Sequence, residues 1–169
     1  MRRRALGLLL ALAWMPAVAT EAQTLRVPAE GVPALTVDVP AGWAVNPAGP
    51  NGAFLVGPGQ RTILLLTMLV ESEVADATLA EIAAKALKAT NAEPYSAREP
   101  GQVAGRPGEA FASRVSNDKG MQAKVVLTLA RLSPVRVAAV LATTVEGATA
   151  EQIAGLEALV RQVRLAGVN

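Results

Sequence analysis

Catalysis and metal binding need side chains that can move a proton, attack a carbon or hold an ion, and this chain is short of them. Its 169 residues include no histidine and no cysteine. A thiol nucleophile, a disulfide, a Cys/His zinc site and any imidazole-based triad are therefore excluded. A general base near neutral pH has to be a perturbed carboxylate or lysine. Glu71 and Glu73 flank Ser72, with Asp76 close behind. Paired carboxylates can hold Ca2+ through oxygen ligands, but this spacing matches no EF-hand loop. The position between a strand and a helix suits acids that favour a helix N-terminus. Asn117-Asp118-Lys119-Gly120 also offers oxygens, and a tight turn accounts for it.

A serine–lysine pair can catalyse without histidine. Ser96, Ser113, Ser116 and Ser133 are available, with Lys119 and Lys124 as bases. Ser116 and Lys119 stand at i, i+3, but across the expected turn instead of on a helix, and no Gly-x-Ser-x-Gly pattern accompanies them. The run Gly101–Gly108 (GQVAGRPG) has the glycines of a phosphate cradle but no Gly-Lys-Ser/Thr ending and no helix behind it. It reads as a loop entering a strand. No catalytic residue, metal ligand or cofactor is assigned. The residues left for binding are Trp43, as a pocket or interface anchor, and the arginines Arg98, Arg106, Arg131 and Arg136, with Arg114 in the same meander cluster. Trp43 also suits the end of an aromatic-poor core. The arginines form an anion-binding or partner surface only if several share one side of a sheet.

The elements that must position these residues read as mostly β. Leu35–Val39 alternates apolar and polar residues, as a half-buried strand does. Short strands are expected at Trp43–Val45 and Ala53–Val56, separated by the loop-rich NPAGPNG. Thr62–Val70 is apolar almost throughout and fits a central strand covered on both faces. A helix follows from Asp76 or Thr78 to about Thr90. Its stripe is Leu79, Ile82, Ala83 and Ala86, with a Glu81–Lys85 pair outside. Asn91–Gly108 reads as irregular, with one edge strand around Tyr95–Arg98. Glu109–Ser116, Met121–Leu132 and Val135–Thr144 make an antiparallel meander. Thr149 and Gln152 form a capping box for a closing helix over about Ala150–Val163, with the stripe Ile153, Leu156, Val160 and Val163. The pattern predicts an α+β fold, an antiparallel β-sheet with helices packed on its faces.

The first residues are not expected to join that fold. Met1–Arg4 is a basic n-region, Ala5–Met15 is an apolar run, and Ala17-Val18-Ala19 is a small-residue cleavage site. This is the order of a secretory signal peptide, too short to span a bilayer. Residues 1–19 are thus assigned as signal, with a cut after Ala22 as the alternative. Residues 20–34 form an N-terminal segment, and residues 35–166 form one domain. The formal charge of +2 changes sign on export. Without its three leading arginines the chain has 13 basic against 14 acidic residues, a net −1. Nothing in so neutral a domain advertises nucleic acid as a partner.

The opening Leu35-x-Val37-x-Val39-Pro40-x-Gly42-Trp43 resembles the start of the PsbP-like superfamily, and of its DcrB-like bacterial branch. The later helix, the Gly105-Arg106-Pro107-Gly108 step before the meander, and the closing helix agree in order and spacing. The resemblance covers about Leu35–Leu165. It implies a PsbP-like α/β/α sandwich that acts mainly by binding. Members include extrinsic photosystem II subunits, a nuclear Ran-binding protein, bacterial envelope proteins and chaperone-like partners of secreted effectors. Unlike envelope lipoproteins, this chain lacks a lipobox cysteine. The expectation is a periplasmic or secreted non-enzyme that engages a protein partner or a small ligand, without nucleic acid or a transmembrane span. Periplasmic hydrolysis by Ser/Lys or carboxylate groups, and a purely structural envelope role, are the alternatives.

Overall fold

Leu64, Leu66 and Met68 point to one side of a long strand, and Ile63, Leu65 and Leu69 to the other. That strand organises the molecule. The computed structural model describes residues 23–117 and 120–167. The signal-peptide assignment lies outside these residues, as do Asp118 and Lys119. Among the described residues the order is β1 (Gln23–Val27), β2 (Ala34–Val39), β3 (Ala44–Pro47), β4 (Gly52–Val56), β5 (Thr62–Leu69), α1 (Glu71–Val74), α2 (Leu79–Ala89), β6 (Ala97–Val103), β7 (Arg106–Ser116), β8 (Gln122–Ser133), β9 (Arg136–Val145), α3 (Ala150–Gln162) and β10 (Arg164–Ala166). Where one sheet was expected, there are two. A seven-stranded sheet runs β3-β4-β5-β9-β8-β7-β6, and a three-stranded sheet runs β1-β2-β10. All strand pairs are antiparallel.

The alternation of β5 and β9 divides the core between the two faces of the large sheet. Leu64, Leu66, Met68, Ala138 and Val140 pack under Leu156, Leu159 and Val163 of α3 and Leu35, Val37 and Val39 of β2. On the other face, Phe111, Val125, Leu127, Leu129 and Leu141 pack under Ile82, Ala83 and Leu87 of α2. The layers are therefore α2, the large sheet, and α3 beside the small sheet. Each fully buried Leu or Val contributes about 1.5–3 kcal/mol, which compensates for the scarcity of aromatic rings. The one ring pair among the described residues is edge-to-face, Tyr95 on Phe111 with centroids 5.1 Å apart.

Both long helices start as their sequences predict. Thr78 accepts from the amide of Glu81, and Glu81 turns back to the amide and hydroxyl of Thr78, each at 2.8 Å. Thr149 and Gln152 do the same for α3. The caps are worth about 1 kcal/mol each. The first one overturns the expected Glu81–Lys85 pair: the three ion pairs among the described residues are Arg98–Glu109, Glu157–Arg161 and Asp38–Arg164. A local cap competes successfully with an exposed i,i+4 pair worth only a few tenths of a kcal/mol.

Asn91–Gly108 is the largest departure. Instead of an irregular stretch it holds β6 and the start of β7, joined by a two-residue turn. Ala104 (φ +51°) and Gly105 (φ +78°) both take positive φ, as a type I′ hairpin requires. GQVAGRPG is thus a hairpin and cradles nothing. Its glycines serve close packing, for a Cβ on Gly108 would lie 1.9 Å from the Leu129 carbonyl oxygen. β6 tolerates Pro100 because it lies at the sheet edge. The segment before residue 35 also joins the fold, since β1 pairs with Leu35–Val39 of β2 and Val27 is buried.

Candidate functional site

The strand register decides which of the candidate residues can act together. Arg98 lies opposite Phe111, and Arg131 opposite Val137, so both occupy the α2 face of the large sheet. Arg106 lies opposite Val103, and Arg136 follows the alternation of Ala138 and Val140, so these two occupy the α3 face. The four arginines are therefore divided between two sides and do not form one surface.

Two of them already have partners. Arg98 donates to the Glu109 carboxylate at 2.6 Å across the β6–β7 edge, a hydrogen bond and charge that hold the guanidinium still more firmly protonated. The second Glu109 oxygen, Oε2, is buried without a hydrogen-bond partner. Arg131 donates to the carbonyls of Ala77 and Pro134. It braces the linker before α2 against the β8–β9 turn, inside an open groove of about 670 Å3 shared with Asp76, Thr78 and Ser133.

Trp43 is only 5% exposed and belongs to the core between β2, β5 and α3. Its ring packs on Gly57, where an added Cβ would come within 3.1 Å of it. It lines neither of the two grooves found.

Three of the four candidate serines are occupied with local structure, while Ser116 is exposed at the end of β7. Ser113 is 3% exposed and donates to the Glu93 carbonyl at 2.6 Å. Ser96 donates to the Ala112 carbonyl at 3.3 Å, and Ser133 accepts from the Val135 amide at 3.3 Å. Glu73 accepts from the Val70 amide at 3.0 Å, a contact typical of a helix start. Among the described residues no three acidic side chains gather in a way that could hold a metal ion.

A second groove, of about 350 Å3, lies where β7, β8 and β9 end beneath the start of α3. Arg114, Lys124 and Thr144 form one cross-strand row along its floor. Ile153 of α3 and the Glu146–Ala148 loop form its walls. The Arg61 guanidinium holds that loop by donating to the Glu146 carbonyl at 2.8 Å. Sequence reasoning treated Arg114 and Lys124 separately and missed this row. The signal was present in the turn: Asn117 opposes Met121, and counting outward from that pair places Arg114 on Lys124.

No family model matches the sequence, and no curated protein matches it. Solved structures do. LpqN, involved in cell envelope biogenesis of Mycobacterium tuberculosis, is 13% identical; the match covers 88% of this chain and 93% of LpqN, with a TM-score of 0.54. A point mutant of the protein Mog1 is 13% identical over 84% of this chain and 95% of its own, with a TM-score of 0.51. The Saccharomyces cerevisiae Ran-binding protein Mog1p is 14% identical over 85% of this chain and 96% of its own, at 0.48. LpqN and Mog1 share the fold of this chain. The α+β sandwich is the architecture of this chain as well.

Proposed function

We propose that this chain is an exported, non-catalytic binding protein of the cell envelope, from the DcrB-like bacterial branch of the PsbP-like superfamily. Residues 1–19, or 1–22, direct export and are removed, and the domain that remains works in the periplasm or outside the cell. It engages a protein partner or a small ligand.

The observation that carries this reading is the architecture shared with LpqN, itself involved in cell envelope biogenesis. Two further features support it. Three of the four serines that a hydrolase could use, Ser96, Ser113 and Ser133, are bonded to backbone carbonyls or amides. No described helix is long and apolar enough to cross a membrane.

Export is tested by expressing the full chain in a Gram-negative host and weighing the product of the periplasmic fraction. A mass beginning at Thr20 or Gln23 supports the assignment; an intact chain retained in the cytoplasm overturns it. The non-catalytic reading is tested with ester and peptide probes. Hydrolysis that disappears in Ser113→Ala or Ser133→Ala would replace it with the hydrolase.

A further inference from the structure

We infer that the groove under the start of α3 is a binding site for a phosphate-class dianion, free or as a phosphomonoester, held by Arg114, Lys124 and Thr144. This names a ligand class for the binding role proposed above and rests on it.

The argument starts from an unfavourable pairing. Arg114 and Lys124 are direct cross-strand partners, so their Cβ atoms stand about 5 Å apart on the same face. Like charges placed directly opposite destabilise a sheet. Two strand arginines elsewhere are answered by an acid, Arg98 by Glu109 and Arg164 by Asp38, but none of the others stands directly opposite a second cation. Here both cations are exposed and neither forms an ion pair. Glu146 lines the same groove without pairing to either of them. Among the described residues no acid pairs with either cation, and a bound dianion supplies the missing counter-charge.

The surroundings suit such a ligand. Thr144 extends the row by one strand, with strands spaced about 4.8 Å apart. The row therefore presents a guanidinium fork, an ammonium and a hydroxyl, a donor set that can satisfy several oxygens of one tetrahedral anion. The groove holds about 350 Å3, ample for phosphate and for a small organic group attached to it. Ile153 forms an apolar wall, which excludes water on one side and strengthens the attraction. Arg61 keeps the Glu146–Ala148 loop in place before any ligand arrives.

The test uses the purified protein, titrated calorimetrically and by phosphorus NMR with inorganic phosphate and, separately, glycerol 3-phosphate. The expected result is saturable binding that Arg114→Gln and Lys124→Gln each weaken about tenfold, the loss of one charge-assisted hydrogen bond. Lys85→Gln, on α2 and outside the groove, keeps the parent affinity. Phosphate raises the melting temperature of the parent and of Lys85→Gln, but not of the two groove variants. Without ligand, those variants melt at or above the parent temperature, because the opposed charges have been relieved. Equal affinity for both ligands indicates that the phosphate alone is read; tighter glycerol 3-phosphate binding indicates that the Ile153 wall contributes. Absence of saturable binding at millimolar ligand, or undiminished binding in both groove variants, overturns the site. Such a failure leaves the export and probe-hydrolysis results untouched, so it is distinguishable from failure of the binding role itself.

Discussion

Thr62 is wholly buried, and its hydroxyl has no hydrogen-bond partner beside Trp43 and Gly57. A buried, unsatisfied hydroxyl costs about 1–3 kcal/mol, and valine fills the same volume without that cost. Thr62→Val is expected to raise stability by about 1 kcal/mol, read as a higher urea midpoint at unchanged slope. Asp38 makes the opposite case, for both its oxygens are engaged. Oδ1 accepts from Thr24 at 2.7 Å, and Oδ2 accepts from Arg164 at 2.5 Å. The Thr24 hydrogen bond first, then the Arg164 one, hold its carboxyl below the usual range. Because the folded pKa is the lower one, its stabilising effect is present in full above about pH 4 and is lost as pH falls through the folded value. The stability advantage of the parent over Asp38→Asn should therefore shrink on acidification through that window, measured by urea unfolding at successive pH values. Solvent exposure and added salt both reduce the effect. The Thr149–Gln152 capping box, a contact between near neighbours, was legible from spacing alone, whereas Glu81 was assigned to Lys85 and in fact caps with Thr78. Thr24–Asp38–Arg164 was not, since nothing local relates residue 24 to residue 164.

Periodicity located most of the elements, and it failed where strands lack β-forming residues. β6 (AREPGQV) has a proline and a glycine where a strand usually has Val or Ile, so it resembles a loop. An edge strand with one pairing partner tolerates both. Its hairpin carries a visible compromise: Ala104 sits at φ +51°, which costs a residue with a Cβ about 1 kcal/mol. Ala104→Gly is expected to recover part of that, raising the melting temperature by a few degrees. A fall would mean that the Ala104 methyl, packed against the core, outweighs the backbone strain. The helix stripes were read nearly right, though Leu87 and Leu159, both buried, lay outside the residues chosen. The division of the arginines between two faces depends on register, and register on where each hairpin turns. Composition carries no such information.

For the whole molecule, the sequence showed an α+β sandwich but not its split into two sheets. An alternating strand declares which of its faces is buried, not which strand lies beside it. β2 in fact left the large sheet and formed its own with β1 and β10. Ending the chain after Val163 removes the pairing of Leu165 with Leu35. It should cost about 1.5–3 kcal/mol, the burial of one leucine, seen as an earlier unfolding transition. That arrangement also bears on how the protein is made. β2 is flanked by the first and the last strands described, and a polypeptide leaves the ribosome or an export channel in one direction. Its partner on one side emerges early, whereas the partner on the other emerges after every other described strand. A chain lacking residues 164–166 would leave β2 half paired, the kind of opening that proteases and aggregation exploit. The small sheet can therefore close only once segments from both extremes of the described fold have emerged.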